Sequence, residues 1–127
     1  MTKHNLSLGA QGEKTAVDFL KEKGYNILAR NYKTKLGEID IVAYDKGTLV
    51  FVEVKARQSQ KYGLPYEAVS RIKQRRISKA AVWFLKENNL LNKKARFDVV
   101  SVAYPEEDKP KLDLFKNAFE LDGAYTF

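Results

Sequence analysis

The chain has 127 residues, 44% of them hydrophobic, no cysteine and a formal charge of +7. That length supports one domain with its own core, so residues 1–127 read as a single domain, and the absence of cysteine excludes a disulfide scaffold and a thiolate zinc site. No apolar run approaches the ~18 residues of a membrane span, and the opening segment MTKHNLSLGAQGEK lacks the apolar stretch of a signal peptide, so a cytoplasmic protein is expected.

Residues 1–6 read as a mobile tail. The first helix is predicted from about Ser7 to Lys23, capped by Ser7 or Asn5 and ended by Gly24. Its apolar stripe is Ala16, Val17 and Leu20, extended back through Gly9 and Glu13, so Glu13 falls on the buried side. Strands are predicted over Tyr25 to Tyr32, Glu38 to Tyr44 and Thr48 to Ala56, the last two joined by a tight turn at Asp45-Lys46-Gly47. A polar loop, RQSQKYGLP, leads to a second helix from about Tyr66 to Asn88. Val69, Ile77, Ala80, Ala81, Phe84 and Leu85 mark its inner face, and Lys73 interrupts that stripe. Trp83 reads as core or as a dimer surface. Arg96 to Tyr104 is a fourth strand and Lys111 to Leu121 a fifth. The order α-β-β-β-α-β-β predicts an α/β fold, a mixed sheet flanked by helices.

The chemistry concentrates in GEIDIVAYDKGTLVFVEVKAR, between Gly37 and Arg57. Asp40 lies among Ile39, Ile41 and Val42, and Glu53 and Lys55 lie among Val50, Phe51, Val52 and Val54. Side chains of a strand alternate faces, so Glu53 and Lys55 point one way and Val52 and Val54 the other. Charges in such company cost several kcal/mol unless paired or bound to metal. Two carboxylates suit a divalent ion such as magnesium, with the Val54 carbonyl as a third oxygen and Glu13 reaching in from the first helix. Lys55 is placed to orient or activate a water. The alternative is a buried ion-pair network of Asp40, Glu53 and Lys55. Glu38 shares the face of Asp40, either beside the site or in a strand-edge ion pair. Asp98 reads as structural, a partner for Arg96 or Lys73.

The positive charge is focused. From Lys55 to Lys79 there are eight basic residues against one acid, Glu67, a net of +7, whereas Pro105 to Phe127 carries three bases and six acids. The first segment holds Arg57, Lys61, Arg71, Lys73, Arg75, Arg76 and Lys79, and a patch of this sign favours nucleic acid, with a solvated helix face as the alternative. With His4 the one histidine and no cysteine, triad and thiol chemistry are excluded.

A carboxylate, a hairpin and then Glu-x-Lys resembles the PD-(D/E)xK nuclease superfamily. More narrowly, GEKTAVDFLKEKGY, NYKTKLGEIDIVAYDKGTLVFVEVKAR and RFDVVSV, in that order over residues 8 to 104, resemble the YraN family of uncharacterised bacterial proteins. The resemblance implies a restriction-endonuclease-like fold close to archaeal Holliday-junction resolvases. It implies Asp40 and Glu53 as metal carboxylates, Lys55 as the catalytic lysine, Glu13 as the additional acid and Lys73 or Gln74 as the polar position on the following helix. Ile39-Asp40 stands where such nucleases often have Pro-Asp. The expected activity is magnesium-dependent (or manganese-dependent) cleavage of DNA, branched DNA included, by a chain for which a homodimer is the natural assembly. A catalytically silent nucleic-acid-binding module of the same fold is the competing expectation.

Overall fold

The computed structural model describes residues 7–58, 69–105 and 109–120. The tail over residues 1–6 and the start of the second helix at Tyr66 lie outside them, as does Lys61. The elements are α1 (Leu8–Glu22), β1 (Asn26–Lys33), β2 (Glu38–Asp45), β3 (Thr48–Arg57), α2 (Arg71–Glu87), β4 (Ala95–Ala103) and β5 (Lys111–Phe119), in the order expected. The five strands form one sheet in sequence order. Only β3 and β4 are parallel, with α2 as their crossover; the other neighbours are antiparallel.

Local chemistry sets the element ends. The Ser7 hydroxyl accepts the Ala10 amide at 3.1 Å and opens α1. At the other end Gly24 adopts φ +92°, letting the Tyr25 amide reach the Leu20 carbonyl at 2.9 Å and the Gly24 amide that of Lys21. These are the two bonds of a Schellman stop. Lys46 and Gly47 both have positive φ between the paired residues Asp45 and Thr48, so the predicted tight turn is of the I′ kind.

Two expectations are corrected. The second helix begins at Arg71: Ser70 is extended, its hydroxyl accepts the Lys73 amide at 3.1 Å, and Val69 enters the core from the segment before the helix. On α1, Gly9 is exposed and Gly12 lies on the buried stripe instead. A Cβ on Gly12 would stand 2.6 Å from the Ala56 Cβ, so glycine lets α1 lie close on β3.

The sheet separates two cores. On one face α1 packs Ala16, Val17 and Leu20 on Ile41, Val50, Val52, Val100 and Val102. On the other, Ile77, Ala81, Phe84 and Leu85 of α2 cover Val42, Leu49, Phe51, Phe97 and Val99. Phe51 meets Phe84 edge-on at 5.9 Å between ring centroids. Trp83, adjacent in sequence, is 49% exposed and is not core.

Candidate functional site

Strand β3 changes character along its length. Leu49 and Phe51 belong to the α2-side core, and Glu53 and Lys55 continue that face beyond it; Val50, Val52 and Val54 face α1, as alternation requires. The ladder between β2 and β3 runs from Asp45↔Thr48 to Ile41↔Val52 and stops there. One residue further, the Asp40 carboxylate accepts the Val54 amide at 2.8 Å, taking over a backbone bond. Ile39 joins the same α2-side core as Val42, so strict alternation of β2 also breaks at this point. The strands thus part around Asp40 and Glu53, and the gap between them is the site.

The Asp40 and Glu53 carboxyls lie close enough to share a proton. Burial, then the charge of Glu53, pushes the Asp40 carboxyl up to about 7, against the opposing Val54 amide and Lys73 ammonium. Glu53 is only 4% exposed and pairs with the Lys73 ammonium from the first turn of α2. Lys55 abuts Lys73; burial and that neighbouring charge hold the Lys55 amine below its usual range, opposed by Glu53 and Asp40. For Lys73 burial is the largest single influence and works against the charge, but the bond to Glu53, the charges of Glu53 and Asp40 and the contact with Lys55 together outweigh it and raise the ammonium above its ordinary value.

Glu13 reaches the same gap from α1. It lines a recess of about 380 Å³ together with Asp40, Glu53, Val54, Glu38 and Lys73. Its Oε1 accepts Arg30 Nε at 3.1 Å and Asn31 Nδ2 at 2.9 Å. Among the described residues no three acidic side chains converge as a ready-made metal cage; the paired carboxylates are those of Asp40 and Glu53. Beside Lys55 in the β3–β4 register is Ser101, buried, its hydroxyl without a hydrogen-bond partner among the described residues.

The recess opens into a cleft of about 860 Å³. One wall is the segment from Lys33 to Glu38, the other is Ser70, Ile72, Lys73, Arg76 and Ile77, and Asp40 and Glu53 lie between them. Of the expected nucleic-acid residues, Lys73 and Arg76 line this cleft, whereas Arg71, Gln74, Arg75 and Lys79 do not. The Gln74 amide donates to the Val69 carbonyl at 2.9 Å and helps anchor the start of the helix. Arg57 ends β3, where its carbonyl accepts the Tyr104 amide. Sequence reasoning missed Lys33, Lys35, Arg30 and Asn31. The KTKLG run between two strands carried some signal for the lysines; nothing local reveals that Arg30 and Asn31 hold Glu13.

Asp98 is wholly buried and is not part of this site. Arg96 Nε donates to it at 2.9 Å, the Tyr25 hydroxyl at 2.9 Å and the Asn117 amide at 2.9 Å. Of the two expected partners, Arg96 is the one it takes.

No helix among the described residues is long and apolar enough to cross a membrane. A family model described as "Uncharacterised protein family UPF0102" matches residues 12–102. A UPF0102 protein of Desulfosudis oleivorans is 47% identical over 124 residues, covering 98% of each chain. One from Geobacter metallireducens is 50% identical over 121 residues, covering 95% of this chain and 98% of its own. One from Syntrophus aciditrophicus is 50% identical over 117 residues, covering 92% and 91%. The matched span contains Glu13, the parted strands with Asp40, Glu53 and Lys55, and the helix bearing Lys73: the chain belongs to the UPF0102 family, the YraN family it resembles in sequence.

Proposed function

We propose that this protein is a magnesium-dependent endonuclease that hydrolyses phosphodiester bonds of DNA, branched or otherwise structured DNA included. The observation that carries the reading is the opposed pair Asp40 and Glu53, set with Lys55 and Lys73 where β2 and β3 part, at the edge of a lysine- and arginine-lined cleft. The PD-(D/E)xK resemblance and the α-β-β-β-α-β-β order point the same way. Manganese is the alternative ion, the cytoplasm the expected compartment, and a second copy of the chain the simplest means of cutting two strands.

The residues fit such an ion. Magnesium commonly takes one or two carboxylates and keeps several waters, and two carboxylates beside an open cleft meet that need. Asp40 and Glu53 would hold it, with the Val54 carbonyl as a further oxygen, and it would supply positive charge to the phosphate and the attacking water. Glu13 orders the surrounding recess through Arg30 and Asn31. The side chain of Lys73 is 44% exposed, so it can leave Glu53 and turn to a phosphate. Lys55, beside the two carboxylates, would orient the attacking water and stabilise negative charge developing on the phosphate. The water oxygen bonds to phosphorus as a bridging P–O bond breaks; the water proton passes to solvent, and solvent protonates the departing oxygen.

The test is cleavage of labelled branched, flapped and linear DNA, with melting curves in the presence and absence of magnesium. The parent should cut at least one substrate and gain stability with magnesium. Glu53→Gln should lose both properties. Lys55→Ala should keep the magnesium shift and DNA binding while its rate falls by about 10²–10⁴-fold. A parent that cuts nothing and shows no magnesium shift rejects the nuclease reading. The ion pair between Lys73 and Glu53, which satisfies the buried acid without a metal, favours the second reading, a silent nucleic-acid-binding module; binding without cleavage would support it.

A further inference from the structure

Among the described residues five large hydrophobic side chains are exposed, and two of them, Leu36 at 45% and Ile72 at 63%, line the same charged cleft from opposite walls. A single exposed aliphatic needs no explanation. Two of them facing the same pair of carboxylates do.

Leu36 is exposed by construction. The Thr34 hydroxyl donates to the Gly37 carbonyl at 2.9 Å and accepts the amides of Leu36 and Gly37, both at 3.0 Å. The Thr34 amide closes the same turn on Gly37 at 2.8 Å. Gly37 in turn lies so close on α2 that a Cβ there would stand 2.2 Å from the Arg76 carbonyl oxygen. A turn bonded internally and seated on helix backbone cannot fold its leucine down onto the core. Ile72 is at the second position of α2, on a helix whose start is fixed by the Ser70 cap. Around the two stand Lys33, Lys35 and Arg76. The charge calls for a polyanion. The aliphatic groups call for a polyanion that also offers apolar surface, which nucleic acid does most where its bases are unstacked.

We infer that Leu36 and Ile72 are specificity-determining wedge residues: they insert against bases at a break in stacking and so direct the cleft to bulged, nicked or branched nucleic acid in preference to continuous duplex. This rests on the proposed reading of the site as one that acts on DNA. Lys33, Lys35 and Arg76 hold the backbone without regard to structure, and the aliphatic pair supplies the discrimination. Unstacking is costly in a continuous duplex and least so where stacking is already lost. The selectivity therefore comes from a cost the preferred substrate has already met.

The experiment is fluorescence anisotropy with calcium in place of magnesium, comparing a linear duplex with the same duplex carrying a short bulge that contains 2-aminopurine. The parent should favour the bulge by roughly tenfold or more and change the emission of the probe. Leu36→Ser combined with Ile72→Ser, both at exposed positions, should bring the ratio close to one with linear-duplex affinity unchanged. Lys35→Ala should weaken both complexes by the same factor and reduce the salt slope by about one. If the double variant keeps the preference, or the parent shows none, the wedge is overturned and the nuclease reading stands. If the parent binds neither DNA, both are overturned.

Discussion

At the hairpin end of the sheet, Arg96 stands between Asp45 and Asp98; at the other end of the same strands, Asp40 faces Glu53 with its lysines to one side. The first arrangement is complete. The Arg96 guanidinium bonds Asp45 at 2.6 Å and Asp98 at 2.9 Å, and Lys116 adds a contact to Asp45 at 3.5 Å. The bond to Arg96 holds the Asp45 carboxyl below its ordinary range, burial opposing, and the bonds to Asp98 raise the already basic guanidinium. The Tyr25 hydroxyl donates to Asp98, and burial followed by the Asp98 charge holds its own proton tightly. The second arrangement is unresolved. Burial, then the charge of Glu53, pushes the Asp40 carboxyl up to about 7, although Lys73 stands close enough to pair with Glu53. Two carboxylates joined through a fork of donors form a structural bolt; two carboxylates turned on each other beside an open cleft are a site that gains from a cation.

The largest expected effect lies at the completed end. Arg96→Met leaves Asp98 buried without its cation, and should cost about 3–5 kcal/mol in urea unfolding while the magnesium shift at the distant site persists. A loss as small as that of a surface pair would break the comparison. Next is Gly37→Ala, whose methyl meets the Arg76 carbonyl. It should cost about 1–3 kcal/mol and weaken DNA binding as well, read by melting and anisotropy together.

Asp40→Asn should act in the opposite direction. The amide oxygen can still accept from Val54 while the repulsion from Glu53 disappears, so the metal-free protein should gain about 1–2 kcal/mol at pH 8 and lose its magnesium shift. Glu53→Gln should not stabilise in this way, because it also releases Lys73. A destabilised Asp40→Asn would show that the pair is held without repulsion.

The smallest effect is a difference in pH slope. Asp40 binds its proton more tightly folded than unfolded. Its contribution to stability is therefore full below the ordinary carboxylate range and is lost as pH rises through about 7. Asp45 is shifted the other way: its contribution is present above the ordinary carboxylate range and is lost as pH falls through its lowered value. Chemical unfolding from pH 4 to 8 should show the alkaline loss vanish in Asp40→Asn, and acid titration should show a shallower loss in Arg96→Met.

Much of this was legible in the chain alone. Alternation placed Glu53 and Lys55 on one face of β3, helical spacing placed Glu13 on the buried side of α1, and Ser7, Gly24 and the Lys46-Gly47 turn set their boundaries, because each is a rule about neighbours in sequence. The start of α2 was misplaced because Val69 fits the spacing of the helical stripe although it packs from before the helix, and only the Ser70 side chain marks the change. The clustering of charge near the site was legible too, but not which cations reach it: Lys73 and Arg76 line the cleft and Arg71, Arg75 and Lys79 do not. What tertiary structure alone decided is the set of meetings between distant residues. Tyr25 and Asp98 are 73 positions apart, Arg96 and Asp45 are 51 apart, and the Gly37 turn is seated on the backbone of Arg76. Sequence spacing carries the period of one element, whereas which carboxylate receives an arginine and which is left facing another carboxylate depends on how the elements pack, and that difference separates the bolt from the site.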